Sequence, residues 1–316
     1  MPPVPPSRRQ FLSRASLAAL GPALLRPSAL QAPAAGPANP GEPWDFRISL
    51  AQWSLHRTLF AGEMSTLDFP ARARSWGLGG VEYVNSFFKD QARDRAFLQE
   101  LKTRCEGEGV QSLLIMCDGE GRLGDPDRNA RLQAVRNHIR WLEAARFLGC
   151  HSIRVNAASE GSEDEQRRLA ADGLRRLAEI GDTFELNVLV ENHGGLSSNG
   201  AWLASVMKAV DHPRIGTLPD FGNFHLSGGQ WYDRYQGVRE LMPWARAVSA
   251  KSHDFDEQGN ERNTDYRKML GIVREAGYRG WIGIEYEGSM LPEEEGILAT
   301  KRLLEGVREE MRAAAG

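Results

Sequence analysis

The chain is short of cysteine, of long apolar runs and of positive charge, and each shortage excludes something. Cys105, Cys117 and Cys150 are the three cysteines among 316 residues, an odd number with no metal-like spacing. At least one must stay unpaired, so no disulfide framework is implied and buried free thiols are expected. The apolar run at 17–25 is too short to cross a bilayer as a stable helix, so no stable membrane span is expected. No glycine-rich phosphate turn follows the first predicted strand, which argues against a doubly wound nucleotide-binding sheet. Acidic residues are missing from the first forty positions, where Arg8, Arg9, Arg14 and Arg26 collect. Without those four the chain has 35 basic against 42 acidic residues, a net charge of −7. A domain this acidic is a poor binder of phosphate backbones, and nucleic acid is not an expected partner.

What is present at the N-terminus is of another kind. Ten of the 16 prolines fall within residues 1–43, and Ser7-Arg8-Arg9-Gln10-Phe11-Leu12 is a twin-arginine pattern ahead of the short apolar run. Small residues around Ala32 and Ala35 offer cleavage points. Residues 1–43 are therefore expected to be a twin-arginine signal with a Pro/Ala-rich linker. The twin-arginine machinery is then a partner, and the periplasm the destination. This route carries folded proteins, which suits an enzyme that needs a cofactor.

Residues 44–316 alternate strand and helix. Strands are predicted at 48–53, 81–84, 110–116, 152–155, 186–191, 215–220, 248–253 and 281–285, with helical periodicity between them. In 128–148, for example, Leu132, Val135, Ile139, Leu142 and Ala145 recur at helical spacing. With 41% apolar and 26% charged residues, a sizeable core is available. Eight strands alternating with eight helices predict a single-domain (β/α)8 TIM barrel.

Four of those strands end in a side chain that binds metals. The strand at 281–285 alternates with period two, Ile282, Ile284 and Tyr286 on one side and Trp281, Gly283 and Glu285 on the other. Its tip is Glu285. The strands before it end in Glu191, Asp220 and His253, about one βα unit apart. Three carboxylates and one histidine at the ends of parallel strands suit a hard divalent cation. Manganese fits first, with magnesium, cobalt or zinc also compatible.

Four segments carry a resemblance: V-L-V-E-N-H-G-G, T-L-P-D-F-G-N-F, A-K-S-H-D-F-D and G-Y-R-G-W-I-G-I-E-Y-E-G. They resemble the sugar phosphate isomerase/epimerase family, the xylose isomerase-like TIM barrels, and the likeness is densest from the fifth strand onward. The resemblance implies one divalent metal on Glu191, Asp220, His253 and Glu285. It also implies that Glu191 and Glu285 act as an acid/base pair on opposite faces of a sugar. One would remove a proton beside a ketone while the other returns it, with the metal stabilising the enediolate. The best-known epimerases of the family carry histidine three residues after the strand-six aspartate. Here that position is Asn223, which cannot shuttle protons at neutral pH.

Further substrate contacts are expected by position. Lys251 shares parity with His253 and points into the barrel; His193 lies two past Glu191. Arg154 and Glu82 sit on the fourth and second strands, as substrate contacts or as a buried pair with each other. Trp53 and His56 follow the first strand, where an aromatic can stack on a sugar. The expected function is a metal-dependent isomerase or epimerase of a ketose or oxidised sugar. Two alternatives are a keto-glycoside lyase using the same site and a non-catalytic exported sugar- or metal-binding protein. A homo-oligomer is compatible with the sequence but not required by it.

Overall fold

The computed structural model describes residues 44–314, and eight strands run through them in chain order. These are β1 (Arg47–Ala51), β2 (Gly80–Val84), β3 (Gln111–Met116), β4 (Ser152–Val155), β5 (Asn187–Glu191), β6 (Ile215–Leu218), β7 (Val248–Ser252) and β8 (Trp281–Tyr286). Between and after them come α1 (His56–Phe60), α2 (Phe69–Ser75), α3 (Arg95–Glu108), α4 (Arg128–Leu148), α5 (Glu163–Thr183), α6 (Gly200–Val210), α7 (Arg234–Leu241), α8 (Tyr266–Glu275) and α9 (Glu293–Ala313). The hydrogen-bonded order is β6-β5-β4-β3-β2-β1-β8-β7, with every pairing parallel. From β6 to β7 the ladder thins to two isolated parallel bridges, Thr217 with Ala245 and Asp220 with Ser249. Those bridges bring the two ends of the sheet together. The fold is the expected (β/α)8 barrel. The twin-arginine pattern lies outside the described residues, and no helix among them is long and apolar enough to cross a membrane.

Strand parity divides the core in two. Leu50, Val81, Tyr83, Val188, Val190, Ile282 and Ile284 face outward and join one large apolar cluster with the surrounding helices. The inward positions form a smaller cluster of Ala51, Val84, Leu114, Met116, Leu189 and Leu218 with Ala247, which leaves the rest of the lumen to polar groups. Glu82 is one of them. It accepts a hydrogen bond from Ser49 Oγ at 2.6 Å, and Gly283 on β8 makes room for it. A Cβ at Gly283 would stand 2.5 Å from Glu82 Oε1, so the lumen holds that carboxyl only because β8 has no side chain there.

The helices start where the sequence supplies caps. Asp94, Asp127, Asn199, Asp233 and Asp265 each accept backbone N–H groups from the first turn that follows them. Ser162 and Glu165 form a reciprocal capping box on α5. Each such cap contributes about 1 kcal/mol. The three cysteines are free and buried, as expected.

Three strand ends fall short of the sequence-based boundaries. β1 ends at Ala51, two residues before Trp53; β6 ends at Leu218, so Asp220 stands two residues beyond it; β7 ends at Ser252, so His253 is already in the loop. The short helix α1, which follows β1 after a 3-10 turn at Gln52–Leu55, has no counterpart in the predicted order.

One buried group makes stability depend on pH. His138 of α4 is 2% exposed, its Nδ1 lies 2.7 Å from the Ala134 carbonyl, and burial lowers its pKa below the usual 6.5. The folded chain therefore binds fewer protons there than the unfolded chain does. That contribution is complete above about pH 6.5 and is lost as pH falls through the folded value. Urea midpoints at pH 7 and pH 5 are expected to differ less for His138→Gln than for the parent. Equal differences would remove His138 from the account.

Candidate active site

At the C-terminal ends of the strands a cavity of about 490 Å³ opens, lined by Trp53, Phe60, Val84, Ser86, Asp118, Arg154, His193, Asn223, Lys251, Glu285 and Glu287. This volume suits a small-molecule ligand, and the position is where barrels of this kind carry their chemistry. Larger surface hollows lie elsewhere, one of them along α5, but none gathers inward-facing strand residues.

Beneath the cavity three carboxylates converge. One oxygen each from Glu191, Asp220 and Glu285 lies within 4.8 Å of the others, and all three residues are buried. Glu191 ends β5 and Glu285 lies near the end of β8, each on the inward parity. Asp220 reaches them from the loop after β6. Asn192 anchors that loop, its amide accepting from Asp220 N at 2.8 Å and donating to Asp220 O at 3.0 Å. Like charges so close, and shut off from water, resist ionisation. Burial first, then Glu285 and Asp220, pushes Glu191 up to about 8, although Arg154 and Lys251 oppose the shift. Glu285 is raised in the same direction by burial and by Asp220 and Glu287, against Lys251 and Arg154.

Two cations from neighbouring strands enter the cluster. Lys251 pairs directly with Glu285 in the β7–β8 register, and its Nζ lies 3.1 Å from Glu285 Oε1 and 3.8 Å from Asp220 Oδ2. Arg154 Nε lies 2.7 Å from Glu191 Oε2, an ion pair without hydrogen-bond alignment, while Nη1 donates to Asp118 Oδ1 at 2.8 Å. Burial works against the Lys251 charge, but Asp220, Glu285, Glu287 and Glu191 together hold its pKa well above the usual value. His193 is lowered by burial and by Arg154 and Lys251, which keeps it a neutral hydrogen-bonding group at pH 7.

Of the residues expected from sequence to touch a substrate, Trp53, Arg154, His193, Asn223 and Lys251 line the cavity. Two do not. Glu82 is buried deeper in the lumen on Ser49 and is not paired with Arg154, which spends its charge on Glu191 and Asp118. His56 turns to the Trp53 carbonyl at 2.8 Å and to Glu293 at 3.7 Å. Among the expected metal ligands, Glu191, Asp220 and Glu285 come together, whereas His253 offers no atom to the group. Alternation carries Lys251 inward, but β7 stops one residue before His253, so strand parity no longer directs that side chain; the His253 backbone N–H donates to Glu261 Oε1 at 3.2 Å. Glu191 and Asp220, though in the cluster, lie below the cavity surface, and Glu285 is the member that faces it.

Asp118 and Phe60 join the wall without a sequence-based assignment, and Glu287, which parity with Glu285 places at the rim, lines it too. Asp118 follows β3 by two residues, so it also had a positional signal. Phe60 comes from the unforeseen α1 and is 64% exposed at the lip. It lies 5.1 Å from the Phe87 ring and 6.0 Å from that of Trp53, so the three rings form an apolar rim.

Residues 70–307 match the family model described as xylose isomerase-like TIM barrel. The chain belongs to that family. It is 24% identical over 254 residues to a putative hydroxypyruvate isomerase of Streptomyces coelicolor, covering 75% of this chain and 90% of that protein. A C-glycoside deglycosidase alpha subunit of Microbacterium trichothecenolyticum is 34% identical over 73 residues. That match spans 22% of this chain and 20% of the relative. Among solved structures, the apo 3-keto-D-glucoside 4-epimerase of E. coli superposes with a TM-score of 0.65 at 16% identity, covering 83% of this chain and 100% of that one. A xylose isomerase-like TIM barrel protein of Mycobacterium smegmatis in complex with magnesium gives 0.62 at 15% identity, covering 86% and 98%. At these identities the two solved barrels share the fold with this one.

Proposed function

We propose that this barrel is an isomerase or epimerase of a keto sugar, working by proton transfer at the carbon beside the carbonyl. The observation that carries this is Glu285 facing a sugar-sized cavity beside two buried cations, Lys251 and Arg154. Glu285 takes the proton from the carbon, and the electron pair moves onto the carbonyl oxygen. Glu191, from the other side of the cluster, returns a proton to the opposite face. Asn223 donates to Glu191 Oε1 at 2.9 Å and so fixes the direction of that carboxyl. Negative charge that develops on the substrate oxygens is met by the positive charges of Lys251 and Arg154 at the cavity wall, where shielding from water strengthens the attraction. Family relatives named as isomerases and epimerases support this reaction class.

Sequence alone implied that a divalent ion, manganese first, stabilises the enediolate. The donor set fits that in part. Three oxygens converge as a hard cation requires, but the fourth expected ligand stays outside and a lysine ammonium stands among the three. No step above depends on the ion.

A second reading is favoured by the rim of Trp53, Phe60 and Phe87. An aromatic edge of one exposed and two half-buried rings beside the pocket suits a substrate with an apolar group attached to the sugar. On a keto-glycoside, the same proton removal leads to loss of that group by β-elimination. The short match to the C-glycoside deglycosidase subunit points the same way.

Incubation in deuterated water with free ketoses and with aryl 3-keto-glycosides separates the readings. Deuterium at the carbon beside the ketone is expected for at least one sugar, with epimer formation. Release of the aryl group instead selects the lyase. Ligand binding with no exchange across the whole panel would leave a binding protein. Export to the periplasm remains part of the proposal, tested by fractionating cells that express the chain with and without Arg8→Lys/Arg9→Lys.

A further inference from the structure

We infer that the Lys251 ammonium is the resident cation of the carboxylate cluster, standing where a divalent metal would otherwise bind. This builds on the proton-transfer reading above but concerns the charge of the site, which is tested separately.

The ammonium is closely surrounded by acceptors. A lysine has three N–H donors, and Nζ has three acceptors at bonding distance: Glu285 Oε1 at 3.1 Å, Glu287 Oε1 at 3.0 Å and Asn223 Oδ1 at 3.1 Å. Most of the carboxylate oxygens are occupied as well. Asp220 Oδ1 accepts from Gly222 N and Asn223 N, both at 2.8 Å, and Oδ2 accepts from Ser249 Oγ at 2.7 Å. Glu285 Oε2 accepts from the same hydroxyl group at 3.1 Å. Glu191 has Asn223 on one oxygen and Arg154 against the other. A metal ion would need several of these oxygens, yet each already faces a protein donor or cation.

The chain also makes room for the lysine. A Cβ at Gly222 would stand 3.0 Å from both Cγ and Cδ of Lys251, tight enough that the stem would have to shift by a few tenths of an ångström. The register then delivers the charge, because Lys251 is the β7 residue level with Glu285. Lys251 is 4% exposed and lies at the cavity wall, so its charge is shielded from water but open to a ligand. A divalent ion bound to Glu285 and Asp220 would sit within a few ångströms of this ammonium. Repulsion between the two in a low-dielectric site weighs heavily against binding both.

The measurement is titration calorimetry of the full barrel, stripped with EDTA, using manganese, magnesium and zinc chlorides. The wild-type protein is expected to bind each weakly, and its melting temperature to be unchanged by EDTA. Lys251→Met, which keeps the length of the stem and drops the charge, is expected to bind manganese at least about 100-fold more tightly, with one ion per chain. Lys251→His, which offers a neutral imidazole, serves if the methionine variant does not fold. Wild-type protein that takes up one equivalent of any of these ions tightly overturns the inference without recourse to a variant. Manganese affinity unchanged in both variants also overturns it. These readouts need no substrate, so a failure to find proton exchange leaves them intact.

Discussion

Glu285→Gln is expected to abolish interconversion of the two sugar epimers while leaving the barrel folded, with kcat/KM lower by about 10³-fold. The amide keeps the shape of the carboxyl, but its single acceptor oxygen can meet Lys251 or accept from Ser249, not both, and it cannot take a proton from carbon. Glu191→Gln is expected to be as severe. The more discriminating readout is isotope exchange. With one carboxyl gone, the other still faces one side of the sugar. Each variant is therefore expected to wash deuterium into one epimer only, the two variants acting on opposite epimers, while neither produces net inversion. Glu285 faces the cavity and Glu191 lies just beneath it, so loss of exchange from the first is the stronger expectation. If Glu191→Gln epimerises at the parental rate, the second acid/base group is another residue, and Glu287 on the cavity wall becomes the candidate.

Arg154→Met is expected to be the most destabilising single change in the site. Arg154 is 4% exposed and faces Glu191, which is fully buried, and Asp118. At about pH 9, above the value of about 8 to which Glu191 is raised, removing one partner of the buried pair leaves the other charge without compensation, a loss of about 3–5 kcal/mol. In a barrel of this size that lowers the melting temperature by roughly 10 °C. Adding Glu191→Gln removes the stranded charge, so the double variant is expected to regain more than half of the drop. A single variant that melts with the parent would mean that Glu191 simply takes up a proton when Arg154 is absent.

Strand parity made most of the site readable from sequence. Glu285, Lys251, Arg154 and Glu191 all occupy inward positions of strands whose period-two pattern is local, so neighbouring residues suffice to orient them. What parity does not hold is the point at which a strand stops. His253 continues the inward series of β7 on paper, yet the strand ends at Ser252 and the series ends with it. Asp220 illustrates the opposite case: it lies past the end of β6 but is returned to the cluster by Asn192, a contact between loops 28 residues apart. Choices of partner are non-local as well. Glu82 and Arg154 both point into the lumen, but inter-strand register brings Glu82 to Ser49 and Arg154 to Glu191, and no single segment records that. Phe60 escaped notice because α1 is a five-residue helix after a strand, too short for helical periodicity to register.

The thin join between β6 and β7 has a mechanical meaning. Arg154, Glu191 and Asp220 are borne on the sheet up to one side of it, Lys251, Glu285 and Glu287 on the other. Few backbone bonds cross there, and the Ser249–Asp220 hydrogen bond with the Lys251–Asp220 ion pair spans the same gap through side chains. The charged cluster is therefore also a clasp. A ligand that engaged those side chains would act on the join as well as on the pocket.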